Sequence, residues 1–232
     1  MPAFRVAVLI SGTGTNLQAL LDTVHGKEVP AAGPRRPEAG AAHAEPGGAP
    51  PGATIEIAAV ASSRPDAAGL RRAEHAGVEA AVFAISDHPD RAARDRALAD
   101  WLESREVDLV VLAGFMELLG PDFVGRFRNR IVNVHPSLLP AFPGVGAIEQ
   151  AVEHGVRVTG VTVHFVDEHL DNGPIVFQEP LELSYPAAIA QIEERVHAQE
   201  HRLLPRAVEL IAADRVRIDP DNPRVVLIDD VD

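Results

Sequence analysis

The stretch RIVNVHPSLLPAFPG, residues 130–144, places an amide and an imidazole two residues apart, at Asn133 and His135. Both fall at the end of an apolar, strand-like run. In a strand, residues i and i+2 face the same way, so the two side chains project together. Open α/β sheets keep their active sites at the carboxyl ends of strands. An amide donor beside an imidazolium can hold a developing oxyanion, and histidine moves protons near neutral pH. A pair of hydrogen bonds inside a loop would also account for these residue types.

Three other stretches carry groups of this kind. In VTVHFVDEHLDNGPIVFQ (161–178), Asp171 opens the turn D-N-G-P. It is either plain turn chemistry or a carboxylate that keeps a histidine protonated. In SGTGTNLQAL (11–20), Gly12 and Gly14 allow a tight strand-to-helix turn, where α/β proteins bind phosphate. The glycine spacing is neither G-x-G-x-x-G nor a P-loop, and a bare connecting turn explains it equally. In RVHAQEH (195–201), His197 and His201 are four apart on one helix face. The H-E-x-x-H pattern is missing, so no metal is expected.

The elements that must position these groups alternate along the chain. Strands are expected at 4–10, 55–63, 78–85, 108–115 and 130–135, with helices at 15–24, 65–77, 88–106, 121–129 and 145–154. Apolar strands alternating with helices predict an open, mostly parallel, Rossmann-like α/β sheet with helices on both faces. The closely spaced runs 158–167 and 175–183 predict an antiparallel extension near the C-terminus. A long helix over 186–213 and a short tail hairpin within 215–232 complete the chain. Residues 1–214 are expected to form a single domain. Residues 30–53 contain no Val, Ile, Leu, Met, Phe, Trp or Tyr. Such a segment cannot bury enough area to offset its ordering entropy, so a mobile insertion is expected there.

Bulk properties narrow the class. The 232 residues are 46% hydrophobic, enough for a sizeable core, and carry a formal net charge of -13. A chain this acidic has no global attraction for nucleic acid or anionic lipid. Without cysteine, disulfides, thiolate zinc sites and a cysteine nucleophile are excluded. No apolar run reaches a membrane-spanning length of about 18 residues. A soluble, cytoplasmic protein is expected, as a monomer or homodimer.

Taken in order, SGTGTNLQAL, VVLAGFMELL, NVHPSLLPAFPG, HFVDEHLDNGPIV and RVHAQEHRLLP resemble the phosphoribosylglycinamide formyltransferases. The likeness covers all but the insertion and the tail. It implies formyl transfer from 10-formyltetrahydrofolate to the amine of phosphoribosylglycinamide, two small-molecule substrates and no metal. It implies a catalytic trio of Asn133, His135 and Asp171. It also implies a ribonucleotide site at Gly14, Thr15 and Asn16 with His197, Ala198, Gln199 and Glu200, the last near the substrate amine. The folate pocket would take in Arg91, Met116, Glu117, Leu118, Leu119, Asn133, Asp167, Glu168, His169, Leu170 and Asp171. Three positions depart from the family pattern. Gly146 stands where a histidine is frequent, Glu117 where a basic residue is common, and Ala141 where some members have lysine. A tRNA-formylating relative would need a basic extra domain, and a formyltetrahydrofolate hydrolase a regulatory domain ahead of the first strand. A dehydrogenase would need the other glycine spacing. A non-catalytic nucleotide-binding protein on the same scaffold would not need the trio.

Overall fold

The protein is described from a computed structural model, which covers residues 3–29 and 53–229. The insertion expected at 30–53 lies outside these residues, apart from Ala53, which is buried. In chain order the elements are β1 (Ala3–Ile10), α1 (Thr15–Thr23), β2 (Thr54–Ser62), α2 (Gly69–His75), β3 (Ala80–Val82) and α3 (Arg91–Glu103). Then follow β4 (Leu109–Leu112), α4 (Pro121–Arg126), β5 (Ile131–His135), α5 (Ala147–Glu153), β6 (Val158–Phe165), β7 (Ile175–Glu182) and α6 (Ile189–Ala212). The tail hairpin is β8 (Val216–Ile218) with β9 (Val226–Ile228).

Seven strands form one sheet in the order β3-β2-β1-β4-β5-β6-β7. The first five run parallel, whereas β6 is antiparallel to β5 and β7 antiparallel to β6. The continuous apolar strands follow from burial on two faces. Along β1, Val6, Val8 and Ile10 join one core with Leu17 and Leu20 of α1 and Leu203, Leu204 and Val208 of α6. The intervening Ala7 and Leu9 join a second core with Leu98 and Leu102 of α3 and Phe123 of α4. The tail hairpin is docked on the first core, with Val216 buried and Ile218, Val226 and Ile228 packed against it.

Two elements are shorter than their sequence patterns. The strand expected over 78–85 pairs with β2 only at Ala80, Ala81 and Val82. As the edge strand it exposes Ala80 and Val82, and Ile85–Asp87 turns into a short 3-10 segment instead. The helix expected from Pro65 starts at Gly69. Gly69 N donates to Gly12 O at 3.1 Å and Gly69 packs against Gly14, which ties the helix start to the turn after β1.

Candidate active site

The turn after β1 comes first along the chain. Gly14 has left-handed backbone, φ 72°, and is the residue from which α1 departs, with no side-chain cap. A Cβ on Gly14 would lie 2.5 Å from the Cα of Gly69. Glycine is required here on both counts. The first-turn amides of α1 thus have no side-chain cap, a setting in which helix starts commonly take an anion. An open cavity beside them is lined by Thr15, Gln18, Asp22, Arg72 and His201. Arg72 braces the turn, donating to Thr13 O at 2.9 Å and Gln18 Oε1 at 3.0 Å.

From the far end of the chain, α6 reaches this turn. Buried Glu200 accepts a 2.9 Å hydrogen bond from Asn16 Nδ2. Burial pushes the Glu200 carboxyl above the usual carboxylate range, opposed by the Asn16 hydrogen bond and nearby His197. Gln199 faces the other way, donating to Glu179 Oε1 and Pro180 O at 3.0 Å. His197 and Ala198 are exposed, and the His197 ring stacks on His201 with centroids 6.2 Å apart. Burial, followed by the neighbouring His197 and Arg72, pushes the His201 imidazole down.

The second cluster forms where β5 ends. Asp171, in the β6–β7 connection, lies between both β5 side chains. Its Oδ1 is 3.5 Å from Asn133 Nδ2, and its Oδ2 is 3.6 Å from His135 Nδ1. The same Oδ2 accepts the Gly144 N–H at 2.7 Å. His135 donates through Nε2 to Phe142 O at 2.8 Å, so both ring nitrogens face oxygens. The carboxylate is held by a tight turn in which a Cβ on Gly173 would lie 1.8 Å from Phe165 O. The S-L-L-P stretch is anchored from beneath. Buried Thr162 donates to Ser137 O at 2.6 Å and accepts from Leu139 N at 3.1 Å, while Gln178 donates to Leu139 O at 2.7 Å.

Comparison with known proteins bears on this arrangement. The formyl transferase family model matches residues 48–208. The phosphoribosylglycinamide formyltransferase of Haemophilus influenzae is 37% identical over 92% of this chain and 90% of its own length. The chain belongs to the formyl transferase family, in its phosphoribosylglycinamide formyltransferase branch. A crystal structure of glycinamide ribonucleotide transformylase 1 from Symbiobacterium toebii superposes with a TM-score of 0.82 at 40% identity, covering 98% of this chain and 95% of that one. The human trifunctional purine biosynthetic protein adenosine-3 is 39% identical over 92% of this chain, which spans 19% of that longer protein.

The residues that the formyltransferase resemblance assigns to folate fall in three segments. Arg91 opens α3 and is exposed. Met116 and Leu118 are exposed, with Glu117 and Leu119 half-buried, in the connection after β4. Asp167 caps the loop that holds Glu168, His169 and Leu170, accepting from His169 N at 2.8 Å and Asn172 Nδ2 at 3.3 Å. Exposed Met116, Leu118 and Val145 lie in the connections after β4 and β5, and exposed Leu170 lies near Gly144 of the latter. The glycine at 146 has its own cause: it is the α5 N-cap with φ 68°, a conformation that histidine adopts only with strain.

His164 escaped the sequence reading. The β5–β6 register sets it opposite Asn133, and Asn133 Nδ2 donates to its Nε2 at 3.2 Å. Its Nδ1 donates to Phe165 O at 2.8 Å, which fixes the tautomer. Burial pushes this imidazole below its ordinary range, against the Phe165 carbonyl and Asp171. A neutral ring that orients the Asn133 amide results. The available signal was the V-T-V-H-F alternation, but only the strand register pairs it with Asn133.

Proposed function

We propose that the chain transfers the formyl group of 10-formyltetrahydrofolate to the amine of phosphoribosylglycinamide, a step of purine biosynthesis in the cytoplasm. The observation that carries this reading is one carboxylate, Asp171, set against both the Asn133 amide and the His135 imidazole at the carboxyl end of β5. The substrate phosphate would sit on the amides of Gly14, Thr15 and Asn16, with His197, Ala198, Gln199 and Glu200 along its other side. The folate would lie across Arg91, Met116–Leu119 and Asp167–Asp171.

The amine nitrogen attacks the formyl carbon and gives a tetrahedral oxyanion. Asn133 Nδ2 and the His135 N–H donate to that oxygen. For His135 to do so, Nε2 exchanges the Phe142 carbonyl for the substrate oxygen. Asp171 faces Nδ1 and balances the imidazolium charge. The carbon–N10 bond then breaks, and the proton lost by the amine reaches N10 through water beside Asp171. An oxyanion donor of this type lowers the barrier by about 3–4 kcal/mol. Holding both substrates together supplies about 7–11 kcal/mol in favourable systems. No covalent nucleophile is required.

The test follows folate product by absorbance, using a 10-formyl folate analogue with and without phosphoribosylglycinamide. Product only with the ribonucleotide, and its loss in His135→Ala, is the expected result. Product without an acceptor would make the chain a hydrolase, and binding without product would leave a nucleotide-binding protein.

A further inference from the structure

Arg94 is the largest fully buried side chain among the described residues, and its neighbour Asp95 is 3% exposed. The Arg94 Nε lies 2.7 Å from Asp95 Oδ1. An ion pair at this depth is often matched or bettered by apolar residues of similar volume, so its presence calls for a specific task. Its remaining contacts show where to look. Arg94 Nη2 donates to Leu118 O at 3.3 Å, and the guanidinium stands 5.6 Å from the Phe115 ring centroid. Asp95 Oδ2 accepts the Gly120 N–H at 2.7 Å. The pair therefore grips residues 115–120 from α3, one turn below Arg91. The other end of the same connection is tied to β1: Met116 N donates to Ser11 Oγ at 2.9 Å, and Ser11 N to Gly114 O at 3.0 Å. Between these ties Met116 and Leu118 stay exposed.

We infer that the Arg94–Asp95 pair is a positioning device for the folate side of the cleft, which fixes the distance between the Arg91 turn of α3 and residues 116–119. This rests on the folate role proposed above for those two segments. Neither side chain reaches the substrates; both act through the backbone of Leu118 and Gly120. The ribonucleotide turn has separate supports, in Gly69, Arg72 and Glu200. The device is thus specific to one substrate.

Two variants test it in the full chain. Asp95→Asn keeps an acceptor for the Gly120 N–H but removes the charge that holds Arg94. Arg94→Met with Asp95→Asn releases Leu118 O without leaving a buried charge unpaired. The KM for the 10-formyl folate analogue should rise about tenfold to a hundredfold, the range reached by small misplacements. The KM for the ribonucleotide should stay within about twofold. Amide hydrogen exchange at Met116–Gly120 should quicken in both variants, while the amides of 12–16 keep their protection. If both KM values move together, or only the melting temperature falls, the pair merely packs a helix and the inference is wrong. Unchanged exchange at 116–120 overturns it as well. A wild-type chain that transfers no formyl group would sink the functional reading instead, and the exchange data would still decide whether the pair holds this segment.

Discussion

The two candidate clusters are built on different plans. The turn at Gly14–Asn16 is one continuous stretch whose shape comes from backbone: a left-handed glycine, a helix start and a glycine packed against it. The cluster at Asn133, His135 and Asp171 is made of side chains from two places in the chain, β5 and the β6–β7 connection, with His164 of β6 as a third. Backbone sites tolerate changes of side chain but not of Cβ. Side-chain sites invert that rule, because the scaffold survives while the chemistry is lost.

The largest effect should separate the two plans. Asp171→Asn keeps the turn and removes the charge between Asn133 and His135. Its kcat should fall about 10²–10³-fold, as for loss of an oxyanion-hole donor, with little change in melting temperature. A kcat within about twofold of wild type would dissolve the trio. Gly14→Ala should do the reverse and act on the fold. The left-handed backbone alone costs about 1–2 kcal/mol, and the contact with Gly69 adds to it. Denaturant unfolding should show a loss above about 2 kcal/mol, and an unchanged midpoint would show that the turn has room to shift.

Smaller effects sharpen the contrast. At Glu200 the folded carboxyl sits above its unfolded range, so its ionised form weakens the fold at neutral pH and the strain eases as pH falls. Glu200→Gln should raise the melting temperature at pH 7 by about 2–4 °C. It should also raise the ribonucleotide KM about tenfold, the cost of a charged hydrogen bond. A variant neither more stable nor weaker in binding would break the link to α6. His164 has the opposite sign. Its folded imidazole is depressed, so the unfolded chain binds the proton first, from about pH 6.5 downward. Stability should decline below that pH, and His164→Gln should flatten the decline. Equal slopes in the two proteins would remove His164 as the cause.

What the sequence revealed follows the same division. Local features were legible: the apolar runs of the parallel strands, the glycine turn, and the i, i+2 pair at Asn133 and His135. Features that depend on non-local docking were not. His164 meets Asn133 only through the antiparallel register of β6. Arg94 and Asp95 fall in a helix rich in charge, and nothing in the pattern marks these two as the buried ones. Strand β3 stops early because its outer side has no neighbour, and α2 starts late because it begins against Gly14. That Asp171 belongs with Asn133 and His135 came from the resemblance to the family motif, since spacing alone does not bring Asp171 to His135.

The hydrogen bond between Asn16 and Glu200 joins residues 184 apart in sequence. A ribosome releases the chain from its N-terminus, so the Gly14 turn emerges long before its partner on α6. The two halves of that site meet only when nearly the whole protein has been made. Under the ribonucleotide role proposed for this turn, binding would report completed synthesis, and a chain that stops after β7 would carry the turn and most of the sheet without the Glu200 that meets Asn16.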